Sequence, residues 1–130
     1  MNRVSGVVVD TSVWIDFLAG LSTPSLEEAL SNGLVVLPPL VVAELVSSAR
    51  QRERAAIAYL LEKLPLHDTP LAHWIRVGEL RQELRGKGLS VSTPDAHVAQ
   101  CALDRDAVLL SLDAVFARIA RLTPLRLHSA

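Results

Sequence analysis

Cysteine is almost absent from this 130-residue chain: Cys101 stands alone. No intramolecular disulfide can form, and no cysteine-built zinc site is expected. Aromatic residues make up only 4% against a hydrophobic fraction of 50%, so Leu, Val and Ala must fill the core. An excess of one charge is missing too, with 13 Lys+Arg against 14 Asp+Glu and a formal net charge of −1. That balance removes the strongly basic domain that usually prompts a nucleic-acid assignment. Long apolar runs are also lacking. The longest uncharged stretch, Ala29–Ala43, is broken by Asn32, Gly33, Pro38 and Pro39 and falls short of the roughly 20 residues a membrane span needs. The opening MNRVSGVVVD has too short an apolar run for an export signal. The expectation is a protein of the cytoplasm with no membrane association. Charged residues at 21% beside so much apolar residue exclude a disordered chain, and the length suits a single domain over residues 1–130.

What is present alternates strands with helices. Val4–Val9 is a β-branched run ending at Asp10, and Thr11 or Ser12 opens an amphipathic helix, Val13–Ala19, closed by Gly20. Ser25–Ser31 reads as a second helix ended by Asn32-Gly33, and Leu34–Leu37 as a second buried strand. Pro38 breaks that strand, while Pro39 suits the first turn of a helix over Leu40–Ser48. Gln51–Lys63 predicts a longer helix and Leu64–His67 a weak strand. A long helix from Leu71 to Arg85 ends at Gly86-Lys87-Gly88. Thr93-Pro94-Asp95 has the residue types of N-cap, N1 and N2 for the helix Ala96–Asp104. Ala107–Leu110 is a third strand, Ser111-Leu112-Asp113 caps a helix over Ala114–Arg121, and Leu125–His128 is an edge strand. Strands separated by helices predict an α/β fold with a central, mainly parallel sheet.

In such a sheet, ligands bind outside the carboxyl ends of the strands. Asp10 follows the first strand, Asp113 follows the third strong one by three positions, Asp95 opens a helix, and Glu44 lies in the helix after the second strand. Each has a structural explanation available. Asp10 can cap a helix, and Asp95 and Asp113 sit where a helix dipole favours negative charge. Glu44 resists one, because Val41, Val42, Ala43, Leu45 and Val46 surround it and no basic residue lies within a helical turn. It is expected to point inward and to need a partner or a metal. Clustered carboxylates select a hard cation, Mg²⁺ with Mn²⁺ able to substitute. Phosphodiester hydrolysis is the chemistry such a site suits.

Four segments together resemble PIN-domain ribonucleases, especially the VapC-type toxins of bacterial toxin–antitoxin pairs. Val7–Leu18, VVVDTSVWIDFL, is similar to the opening motif of that family, and Val42-Ala43-Glu44-Leu45 to its second acidic motif. Ser92-Thr93-Pro94-Asp95-Ala96 with Val98-Ala99 resembles the third, and Leu110-Ser111-Leu112-Asp113 with Phe116 the fourth. The resemblance implies a three-layer α/β/α PIN-like fold. It implies that Asp10, Glu44, Asp95 and Asp113 form an acidic pocket for Mg²⁺, with Asp10 and Asp95 as direct ligands. Thr11, Ser12 and Ser111 would orient carboxylates or waters. The substrate would be RNA, cut by a metal-activated water to leave a 5′-phosphate, and the partners a cognate VapB-type antitoxin and a second copy of the chain. The likeness departs at Val115, where the family often carries another acid or Asn, and at His97, where it usually has an apolar residue.

Other residues carry weaker expectations. Arg50, Arg52 and Arg54 read as a solvated helix face, whereas Arg81, Arg85 and Lys87 are expected to meet phosphate if their loop borders the acids. His97 is a candidate RNA contact, although packing in the interior is the simpler role for it. His67, His73, His97 and His128 lack HxxxH or HExxH spacing, which disfavours zinc. A receiver-like module would need a Lys after a late strand, a haloacid-dehalogenase-type phosphatase would need Asp-x-Asp after the first, and no Gly-rich nucleotide loop is present. The alternative from another class is a catalytically silent PIN-like domain that acts only as a protein-binding partner.

Overall fold

The computed structural model describes residues 6–128. Among these, β1 (Val7–Val9), β2 (Val35–Val36), β3 (Val108–Leu110) and β4 (Arg126–His128) form one sheet in the order β2-β1-β3-β4. Every pairing is parallel. The first three strands are apolar and wholly buried, as strands covered on both faces must be. β4 is exposed throughout, in keeping with its place at the edge. The strand expected over Val4–Val9 is present from Val7; its first two residues lie outside the described ones.

Seven α-helices connect and cover the sheet: α1 (Thr11–Leu18), α2 (Pro24–Ser31), α3 (Pro39–Ser48), α4 (Arg54–Leu61), α5 (Leu71–Gly86), α6 (Thr93–Arg105) and α7 (Ala114–Leu122). The chain steps from β1 to β2 in one direction and from β2 past β1 to β3 in the other. Right-handed crossovers therefore put the intervening helices on opposite faces, which is the expected three-layer α/β/α arrangement. The core between the layers is built on Val8, Val9, Leu109 and Leu110 of the sheet, with Trp14, Leu26, Leu84, Phe116 and Ile119 from the helices.

Three local expectations are corrected. Gln51–Lys63 is not one helix: a 3-10 turn, Gln51–Glu53, precedes α4. Leu64–His67 supplies only an isolated parallel bridge, Leu37 to Leu66, flanked by Leu37 N donating to Pro65 O (2.9 Å) and His67 N to Leu37 O (2.8 Å). Pro38 on one side and Pro65 on the other have no N–H to extend that ladder. Finally, Ser92 rather than Thr93 caps α6, its hydroxyl accepting from Asp95 N at 3.2 Å. That shift puts Asp95 at the third helical position, where its side chain still lies in the first turn.

Candidate active site

The sheet order reverses between β1 and β3, so the crevice at their carboxyl ends is the topological switch point. Asp10 sits there as the N-cap of α1, and its backbone N–H donates to Leu110 O at 2.9 Å, which pins it against the end of β3. Its side chain makes no capping bond to the helix, so the structural role open to it is not the one it performs. Instead Oδ2 accepts from Ser12 Oγ and from Ser111 Oγ, each at 2.9 Å. The residue is only 8% exposed. Its Oδ1 accepts no hydrogen bond from the described residues.

The two hydroxyls that hold Asp10 also bind the loop after β3. Ser12 Oγ accepts from Leu112 N at 3.0 Å, and Ser111 Oγ accepts from Asp113 N at 2.9 Å. Asp113 in turn caps α7, Oδ1 accepting from Val115 N at 3.0 Å, so it performs the structural role expected of it as well. Ser111 and Ser12 thus link Asp10 to the loop that carries Asp113.

Asp95 and Glu44 enter from α6 and α3, and both are drawn into the same electrostatic neighbourhood. Partial burial raises the Asp95 carboxyl above the usual range; a hydrogen bond with Ser92 opposes this, and the charges of Asp113 and Asp10 add to it. Glu44 is raised first by desolvation and then by Asp10 and Asp95, against a hydrogen bond donated by Thr11 Oγ1 at 3.3 Å. None of the ion pairs among the described residues includes any of these four acids. The expectation that Glu44 points into the core is corrected. It lies on the exposed face of α3, because Val41 and Leu45, one turn apart, take the buried face. Its apolar sequence neighbours Val42 and Ala43 are themselves partly or fully exposed.

These donors suit a hard divalent cation. All are carboxylate oxygens, one is pre-oriented by two hydroxyls, and the mutual repulsion has no protein cation to relieve it. The carboxylates do not close into a trio of donor atoms within 4.8 Å.

The basic candidates fare differently. Lys87 donates to Glu83 and to the carbonyl of Leu122, the last residue of α7. It therefore sits a full helix, roughly 13 Å, from the Asp113 cap. Arg81 is committed to the carbonyl of Val91 at 2.9 Å, whereas Arg85 is exposed. Arg50, Arg52 and Arg54 are exposed, as a solvated face requires.

The RNA contact considered for His97 is corrected: its residue is 0% exposed. Leu40 N–H donates to His97 Nε2 at 3.5 Å, so the proton of this ring is on Nδ1, which donates to His73 Nε2 at 2.8 Å. His73 Nδ1 then donates to Asp104 Oδ2 at 2.8 Å. Burial, followed by the nearness of His73 and His67, lowers the His97 pKa to about 4, and Trp74 stacks on its ring at 4.8 Å. This buried network was missed from the sequence. The signal was the spacing of His97, Cys101 and Asp104, which share one face of α6 toward α5.

A family model described as PIN domain matches residues 7–122. Ribonuclease VapC21 of Mycobacterium tuberculosis is 32% identical over 102 residues, which cover 75% of this chain and 74% of that protein. Among solved structures, VapBC2 from Rickettsia felis, bound to a DNA fragment from their promoter, aligns at a TM-score of 0.78 with 21% identity, covering 95% of this chain and 98% of that one. DNA-bound VapBC from Salmonella typhimurium aligns at 0.76 with 22% identity, covering 95% and 97%.

Proposed function

The chain belongs to the PIN-domain family, and from that membership we propose that it is a magnesium-dependent endoribonuclease, the toxin of a VapBC-type toxin–antitoxin pair. The observation that carries this reading is Asp10: a buried carboxylate at the switch point, clamped by two hydroxyls on one oxygen and matched by no cation. A residue so placed is of little use to the fold and of much use to a metal.

In this reading Asp10 and Asp95 are the direct ligands, with Glu44 and Asp113 completing the acidic pocket. Bound magnesium would supply an activated water and charge stabilisation for phosphodiester hydrolysis. The chain's own residues do the rest. Ser12 and Ser111 hold the Asp10 oxygen in one orientation, and Ser111 couples it to the loop that carries Asp113. Thr11 steers Glu44 toward the crevice by its hydrogen bond. The acids would repel a nucleic-acid phosphate until a cation neutralises them, which ties RNA binding to metal binding. Of the basic candidates near the end of α5, the exposed Arg85 is the one left to meet an RNA backbone, since Lys87 and Arg81 are already engaged.

The similarity to Ribonuclease VapC21 supports RNA as substrate, and the VapBC neighbours support a VapB-type antitoxin as partner. A groove lined by Ile15, Leu18, Leu45 and Ile57, with Ile15 and Leu18 exposed, offers apolar surface for such a partner. No helix among the described residues is long and apolar enough to cross a membrane.

Incubating the purified protein with structured RNA, in Mg²⁺ and in EDTA, tests the reading. Cleavage in Mg²⁺ only, lost in Asp10→Asn with the circular dichroism spectrum unchanged, is expected. Metal-independent cleavage, or none by wild type, would leave the silent binding domain as the better description.

A further inference from the structure

A second group of donors lies away from the acids, where α5 and α6 pack together. We propose that His67, His73 and Cys101 form a buried zinc-binding site that clasps these two helices to the segment before α5. The donor atoms of the three residues lie within 4.8 Å of one another. All three are buried, at 6%, 0% and 0% exposure. They come from three separate elements: the loop after the Leu37–Leu66 bridge, α5 and α6.

The feature that calls for a ligand is His67. Both of its ring nitrogens are buried without a hydrogen-bond partner. The nearest carboxylate atom, Asp104 Oδ2, is 3.8 Å from Nε2, beyond hydrogen-bond distance. Asp104 offers it only this long contact, so an imidazole kept out of water with neither nitrogen in a full hydrogen bond still costs free energy. A metal ion among these residues would satisfy it.

The outer groups are also arranged as a zinc site requires. Asp104 accepts from His73 Nδ1 at 2.8 Å, which fixes the tautomer and puts the lone pair of this ring on Nε2. Asp104 is itself held by Arg76 at 2.8 and 3.0 Å and by Gln100 at 2.9 Å. His73 Nε2 accepts the His97 Nδ1–H at 2.8 Å; an ion on Nε2 would displace that hydrogen bond, and Cys101 Sγ, 4.0 Å from His97 Nδ1, is the acceptor left for it. Two imidazoles and a thiolate select zinc; magnesium, which takes oxygen, would not compete. Tetrahedral bonds of about 2.0–2.3 Å bring neighbouring donors to roughly 3.5 Å. The three donor atoms, now within 4.8 Å of one another, would have to draw in to that spacing around the ion. Burial holds the Cys101 thiol in its protonated form, and it is the ion that would make the thiolate available. The sequence reading that a lone cysteine builds no zinc site rested on spacing along the chain, whereas the proposed site draws two histidines to that cysteine by packing.

The test uses the full chain, stripped with EDTA, and Co²⁺ as a spectroscopic stand-in for zinc. One Co²⁺ per chain with tetrahedral visible bands and a thiolate charge-transfer band is expected, and Zn²⁺ should displace it. Cys101→Ser should abolish the charge-transfer band, and His67→Gln should weaken zinc binding by about tenfold or more. Asp10→Asn should leave the signal unchanged, which separates this site from the acidic one. Folded wild type that shows no charge-transfer band overturns the proposal, whatever the variants do. So does a Co²⁺ spectrum that survives Cys101→Ser intact, or one that disappears in Asp10→Asn.

Discussion

Asp95 and Asp104 stand on the same helix, nine residues apart in sequence, and meet opposite surroundings. Burial alone would raise the Asp104 carboxyl, but hydrogen bonds from Arg76, His73 and Gln100, with the Arg76 charge, pull it well below the usual range. Asp95 is shifted the other way, by burial and by the charges of Asp113 and Asp10. One acid has been given every donor it can accept. The other has one hydrogen bond, with Ser92, and faces two further acids. A carboxylate satisfied so fully at one end of α6 and one crowded by other acids at the opposite end is the contrast that supports reading Asp95 as a functional residue.

The comparison breaks most sharply through substitution. Asp95→Asn should lower RNA cleavage by about a hundredfold or more, since even outer-shell changes at metal sites cost 10–100-fold, and it should leave the fold intact. Asp104→Asn should do the reverse. Cleavage should stay within about twofold, while equilibrium unfolding in urea should show a loss of about 2 kcal/mol from the weakened His73 and Arg76 bonds. Equal effects of the two variants on cleavage would erase the distinction between the two ends of α6.

A finer probe is the hydroxyl pair. Ser111→Ala removes one of two donors to Asp10 Oδ2 and the acceptor for Asp113 N. A loss of about tenfold in kcat, with KM little changed, is expected for a residue that positions a ligand. A variant that alters only KM would mean that Ser111 touches substrate instead.

Much of the site was legible because its acids fall at the joints of a strand–helix alternation. Asp10 after the Val7–Val9 run, and Asp113 three positions after Leu110, follow from the rule that parallel sheets bind at their carboxyl edge. Glu44 was the instructive miss. Its apolar neighbours suggested burial, yet a helix that packs through Val41 and Leu45 turns the residue between them aside, and Val42 and Ala43 were surface as well. The histidine network was illegible for a different reason. His67, His73 and Cys101 belong to three elements, and only packing brings them together. Spacing rules read one helix at a time and could not register it. The strand expected at Leu64–His67 failed on proline, whose missing N–H limits the pairing to one bridge.

The smallest expected effect is the most discriminating about Asp95, because two forces act on it with opposite sign. At the first turn of α6 its charge is favoured by the helix dipole, while Asp113 and Asp10 oppose it. Its folded pKa lies above the ordinary value of 3.8, so ionisation penalises the folded state at neutral pH, and the penalty is relieved as pH falls through that raised pKa. Asp104 behaves inversely: its contribution is present above 3.8 and is lost as pH falls toward its depressed folded value. In EDTA at pH 7, Asp95→Asn should therefore raise the Tm, by about 2 °C after allowing for solvent screening of a partly exposed group. The gain should shrink as the pH is lowered toward the raised pKa. Added Mg²⁺ should reverse the order, because an ion that binds the folded acids stabilises wild type by mass action and the variant much less. A Tm that falls in EDTA would make Asp95 a helix-dipole residue first, and a Tm order that ignores Mg²⁺ would remove it from the metal's ligands.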